Sequence, residues 1–139
     1  MIIENQGDKG GVGYLIGQSF LVDSNASIST ITLAVCDGVD AQIVVREAST
    51  GDWNAGAIVG TSQIIEATSG SGSYCSVSQY GSSHYPSSIF VFDDLNVEAG
   101  GEYIIELTTG LAISSANSFA DGSTFSSGGA ASSDLWFVI

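Results

Sequence analysis

The hydrophobic residues of this chain recur with a period of two, and no segment carries a helical stripe. In "ISTITLAV", Ile31, Leu33 and Val35 alternate with Thr30, Thr32 and Ala34. In "AQIVVRE", Ile43 and Val45 share one face, and in "EYIIELTT" Tyr103, Ile105 and Leu107 do the same. Alternation of this kind places every second side chain on one side of a pleated strand, so it predicts β-structure half-buried on a core. "SSIFVFDD" and "DLWFVI" are apolar on both faces and read as strands covered from both sides. Further strands are expected over 14–22, 57–66 and 111–119.

Turn chemistry separates these runs: "VDSNAS", "CDGVD", "STGDWNAG", "ATSGSGS", "VEAGGE" and "ADGSTFSSGG". In "FDDLN" the Asp-Asp pair reads as a strand end. In "FADGSTFSSGG", Asp121-Gly122 reads as a turn and Gly128-Gly129 as the reversal into the last apolar run. About eight or nine short strands in 139 residues predict an all-β fold, a two-layer antiparallel β-sandwich of jelly-roll type. One domain, 1–139, is expected, with residues 1–12 as a loose N-terminal arm. Val97-Glu98-Ala99-Gly100-Gly101 should be a tight connection in which a glycine takes positive φ.

Charge narrows the partners. Fifteen Asp and Glu stand against two basic residues, Lys9 and Arg46, for a formal net charge of −13. Nucleic acids and anionic membranes need Lys and Arg to meet their phosphates, so both are excluded as partners. Divalent cations, neutral glycans, a cationic partner or a salty medium all suit such a surface. No stretch has the length of a membrane helix, so no membrane insertion is expected. The N-terminus lacks the regions of a signal peptide, so the sequence reads as an excised or processed domain. Cys36 ends an apolar run and Cys75 lies in a Ser/Gly-rich stretch. Both a disulfide, worth about 4 kcal/mol in the chain-entropy model, and a pair of buried thiols fit this pattern.

Three segments carry a likeness to known modules. Gln18-Ser19-Phe20 is followed by a corner from Leu95 to Tyr103, then by Phe119, Phe125, Gly128-Gly129 and Asp134-Leu135-Trp136-Phe137. In this order they resemble the jelly-roll β-sandwich modules of secreted and surface-attached bacterial proteins. Those modules serve as adhesin or carbohydrate-binding-like accessory domains. The resemblance implies an extracellular or cell-surface setting and a non-enzymatic role. It carries over no binding residue, because the matching positions are core and turn positions.

The residues themselves offer four kinds of chemistry. Catalysis has little to build on: the single histidine, His84, sits among loop serines with no nucleophile elbow or zinc motif. Carboxylate pairs such as could cleave a glycosidic bond are uninformative in so acidic a chain. Calcium needs six to eight oxygens, which Asp37, Asp40, Asp93, Asp94 and Asp121 could help supply, although none follows an EF-hand spacing. The plainer reading makes these acids turn residues. Glycan binding needs an exposed ring to stack on a sugar, with polar side chains to bond its hydroxyls. Trp53 at the tip of a polar loop, flanked by Asp52 and Asn54, fits that need. So do Tyr80, His84 and Tyr85 in the long Ser-rich stretch, where the plainer reading makes the tyrosines anchors of that loop. Finally, jelly rolls build capsids and filaments, so self-assembly as a structural subunit of a surface filament, fibre or viral assembly is the alternative. The sequence thus predicts a non-enzymatic recognition or adhesion module with a glycan ligand and calcium as a candidate structural ion.

Overall fold

A computed structural model describes residues 3–5, 9–34, 40–65, 87–108, 112–115, 124–126, 129–131 and 137–139. These residues form eleven strands and no helix: β1 (Glu4–Asn5), β2 (Lys9–Leu21), β3 (Ala26–Ala34), β4 (Ile43–Glu47), β5 (Ile58–Thr61), β6 (Ser87–Val97), β7 (Glu102–Leu107), β8 (Ala112–Ser115), β9 (Thr124–Ser126), β10 (Gly129–Ala131) and β11 (Phe137–Val138). Every pairing is antiparallel.

Two sheets result. The first runs β1-β11-β3-β6, and the second runs β10-β9-β2-β7-β4-β5 with β8 also on β2. The long β2 is shared along its length. Leu15 pairs with both Ala112 and Ser126, and Gly17 with both Glu106 and Phe125. β7 and β8 therefore succeed one another on one edge of β2, while β9 takes the other edge.

The sheets face each other across one core. Ile28, Ile31, Leu33, Phe90, Phe92, Leu95, Val97 and Phe137 from the first sheet meet Phe20, Ile43, Val45, Tyr103, Ile105 and Leu107 from the second. The alternation that predicted the strands decides which residues enter. In β7, Tyr103, Ile105 and Leu107 point inward. Gln18 also faces inward, because it pairs with Ile105 and is fully buried. Its Nε2 donates to the Ser19 carbonyl at 3.0 Å, as a buried amide must find a partner.

The expected tight connection is present. Gly100 has φ 81°, the value a type II turn requires at its third position, and the Gly101 amide donates to the Glu98 carbonyl. The turn is tied down on three sides. Gly100 N–H donates to the Val22 carbonyl, Ala99 N–H to Asn25 Oδ1, and Glu98 N–H to the Tyr103 hydroxyl. Tyr103 in turn packs on Phe20, with ring centroids 5.9 Å apart. Gln18-Ser19-Phe20 and the Leu95 to Tyr103 corner, which carried the likeness to known modules, thus lie side by side in the structure.

Three expectations need correction. Asp93-Asp94 does not end its strand: β6 runs on to Val97. The register jumps there, with Ile28 paired to Leu95 but Thr30 to Val91, so β6 holds two extra residues. Both acids point outward in this bulge, and the break in alternation returns Leu95 and Val97 to the core. "SSIFVFDD" is not covered on both faces, since Ile89 is 59% exposed while Phe90 beside it is fully buried. Within "FADGSTFSSGG", β9 and β10 form a hairpin with Ser126 opposite Gly129, so that reversal is local. These short strands raise the count above the eight or nine expected.

The two sheets also touch at an edge. Ser62 and Ile65 still bond to β4 and its approach, through Ile43 and Ala41, while Gln63 N–H donates to the Val91 carbonyl of β6. Ser62 makes the corner possible. Its buried hydroxyl accepts from the Ile43 amide and donates to the Gln63 carbonyl.

Candidate functional site

The loop 48–57 leaves β4 and returns as β5. Its start is fixed by Ala48 N–H donating to the Glu102 carbonyl, and its end by Glu47 N–H donating to the Ala57 carbonyl. Between them, Ala55 N–H bonds to the Asp52 carbonyl, closing a turn with Trp53 and Asn54 at its centre. Asp52 and Asn54 are exposed and Trp53 is half-buried.

Trp53 is half-buried because it leans on another strand. A Cβ built on Gly17 would lie 2.5 Å from Cζ3 of Trp53, so the six-membered ring of the indole occupies the space a side chain would need. Gly17 neighbours the inward-facing Gln18, so this contact lies on the outward face of the second sheet. The strand order is β2-β7-β4, so a ring carried by the loop after β4 has to pass over β7 to reach β2. Neighbouring strands lie about 4.8 Å apart, which makes the reach roughly 10 Å. On the same face, Ser19 and Ile104 are paired and only 1% and 3% exposed, although neither belongs to the central core.

Arg46 fastens the loop. It stands on that outward face, opposite Ile104. Its Nε donates to Glu106 Oε2 at 2.8 Å and its Nη1 to the Gly56 carbonyl at 3.0 Å. The side chains of Arg46 and Glu106 are only 21% and 16% exposed. Gly56 itself is pressed against the backbone: a Cβ there would fall 1.7 Å from the Glu47 carbonyl oxygen.

Of the expected glycan-contacting residues, the structure therefore brings Asp52, Trp53 and Asn54 together. Tyr80, His84 and Tyr85 lie outside the described residues, as do Cys36 and Cys75. Among the candidate calcium ligands, Asp37 and Asp121 also lie outside them. Asp40, Asp93 and Asp94 are exposed. Asp93 accepts from Gln63 Nε2 at 3.3 Å and Asp94 from Asn96 Nδ2 at 2.6 Å. Among the described residues, no three carboxylate, thiol or imidazole side chains converge as a metal centre would require.

Sequence reasoning missed Gly17, Arg46 and Gly56. A signal existed for Arg46, one of two basic residues in the chain and set in a strand. The fold and the loop together define a class: an all-β protein of two antiparallel sheets with a loop-borne aromatic on an outer face. Comparison with family models, with curated proteins and with solved structures gives no match.

Proposed function

We propose that the protein is a non-enzymatic recognition or adhesion module of jelly-roll type, acting outside the cell or at its surface, with a carbohydrate as ligand. One observation supports this reading above the others. Trp53 is braced by Gly17 and stands between the exposed side chains of Asp52 and Asn54. A ring fixed in place can stack on the C–H face of a sugar while a carboxylate and an amide bond its hydroxyls. The acidic surface suits a neutral ligand and calcium as a structural ion, with Asp93 and Asp94 offering outward carboxylates.

A glycan array run with calcium and with chelator tests the reading, followed by titration of any hit against Trp53→Ala. Loss of affinity by about tenfold or more, equivalent to ~1.4 kcal/mol, supports it. Undiminished binding by the variant removes Trp53 from the site, and an array with no hit removes the carbohydrate.

A second reading is a structural subunit of a surface filament, fibre or viral assembly. The exposed apolar side chains Ile64, Ile89 and Val91 favour it, because β6 is the terminal strand of the first sheet and Gln63 touches it there. Light scattering on a concentrated sample separates the two: a monomer at all concentrations excludes assembly.

A further inference from the structure

We propose that Arg46 is the positioning residue of the Trp53 loop, a latch that holds 48–57 on the second sheet so that the ring is presented already in place. The proposal rests on the recognition reading of this loop. Its physical basis is the division of one guanidinium between two acceptors. Nε meets Glu106 on β7, and Nη1 meets the carbonyl of Gly56 on the far side of the Trp53 turn. A guanidinium can serve both because its donors are spread over a rigid plane, whereas an ammonium is a point charge. Glu106 balances the charge where both side chains are largely covered.

No second cation can replace it locally. Lys9, the other basic residue, lies at the opposite end of β2 from the residues that pair with Tyr103 and Glu102. Gly56 lies so close to the Glu47 carbonyl oxygen that a Cβ would fall 1.7 Å from it, which brings the returning loop within reach of Arg46 on the same strand as Glu47. A latched loop has already lost the conformational entropy that an unlatched one would lose on meeting a ligand. Arg46 would then raise affinity without touching the ligand.

The test reads the loop in the folded, ligand-free protein. Acrylamide quenching of Trp53 fluorescence is measured for wild type, Arg46→Met, Arg46→Lys and Glu106→Gln, each corrected by subtracting its Trp53→Phe counterpart. Arg46→Met should raise the Trp53 quenching constant about twofold, as local opening uncovers a ring now half-covered. Arg46→Lys should fail to restore wild-type shielding, because Lys cannot hold Glu106 and Gly56 together. Glu106→Gln keeps the Gly56 bond and should give a smaller rise, and it carries the test if the Arg46 variants do not fold.

Wild-type quenching in Arg46→Met or in Arg46→Lys overturns the latch. So does unchanged affinity of Arg46→Met for an array hit when its quenching has risen. An array without hits defeats the recognition reading instead, and leaves the quenching result to decide the latch alone.

Discussion

Gly17→Ala should stabilise a variant that lacks the Trp53 ring, yet leave the wild-type protein without that gain. The added Cβ would lie 2.5 Å from Cζ3, 3.1 Å from Cη2 and 3.2 Å from Cε3. Carbon atoms in contact prefer about 3.5–4.0 Å, so the ring must withdraw by roughly 1 Å, enough to forfeit a quarter to a half of each contact it makes with the sheet. A half-buried tryptophan hides about 100 Å², which at 25 cal/mol per Å² is worth ~2.5 kcal/mol. Losing a quarter to a half of it costs about 0.6–1.3 kcal/mol. Against this, alanine in a strand is better than glycine by about 0.5–1 kcal/mol, because it has less backbone freedom to lose. The two terms nearly cancel in the wild type, leaving a net change within about 0.8 kcal/mol of zero. With Trp53→Ala already present there is nothing to strike, and only the gain of about 0.5–1 kcal/mol remains. Urea unfolding of the four proteins in this cycle measures both effects and their coupling of ~0.6–1.3 kcal/mol. The decisive feature is the difference between the two backgrounds. If Gly17→Ala has the same sign and size in both backgrounds, Trp53 does not rest on β2.

Two further substitutions test the frame that carries the loop. Gly100 has φ 81° and no atom within 4 Å of a built Cβ, so replacing it costs backbone strain alone. Gly100→Val should lose about 1–2 kcal/mol and Gly100→Asn less; equal midpoints for the two variants would contradict the positive φ. In β6, Phe90→Ala should lose ~3–5 kcal/mol, while Ile89→Ala should stay within about 0.5 kcal/mol. Thermal or urea midpoints of the pair report which face of β6 meets the core, and comparable losses would mean that the face is wrongly assigned.

The part of the fold that could be read in the sequence is the part in which one face is wet. β3, β4 and β7 alternate because solvent lies on one side and the core on the other, and the inward residues Ile31, Leu33, Ile43, Val45, Tyr103, Ile105 and Leu107 follow from spacing alone. The Gly100 turn was equally legible, since its φ is a local requirement that few residues meet. Spacing fails where a strand changes phase. Two consecutive acids look like a strand end, yet Asp93 and Asp94 lie in a bulge at which the inward positions pass from Phe90 and Phe92 to Leu95 and Val97. It fails again where strands are short or glycine-rich. β9 and β10 are three residues each, too few to show a period. The opening of β2, "KGGVGY", has little propensity of its own and is held by pairing with the distant β8, through two register shifts.

The candidate site was legible to the extent that it is local. Trp53 between turn signals marked its loop, and Asp52 and Asn54 came with it. What spacing could not supply is the direction in which the loop folds. Arg46 on β4, Glu106 on β7 and Gly17 on β2 come together only because the sheet order is β2-β7-β4, and that order is set by pairings between residues far apart in the chain. Had β4 lain beyond another strand, a ring from its loop could not have reached β2, and an absent side chain at Gly17 would have had no purpose there. Gly17 is informative in the structure for the same reason that it is silent in the sequence. In "LIGQSF" it interrupts an otherwise good strand and weakens it. Once the sheet is assembled, the missing Cβ is the space in which Trp53 lies, and the cost to the strand is offset by the packing of a ring that starts two strands away.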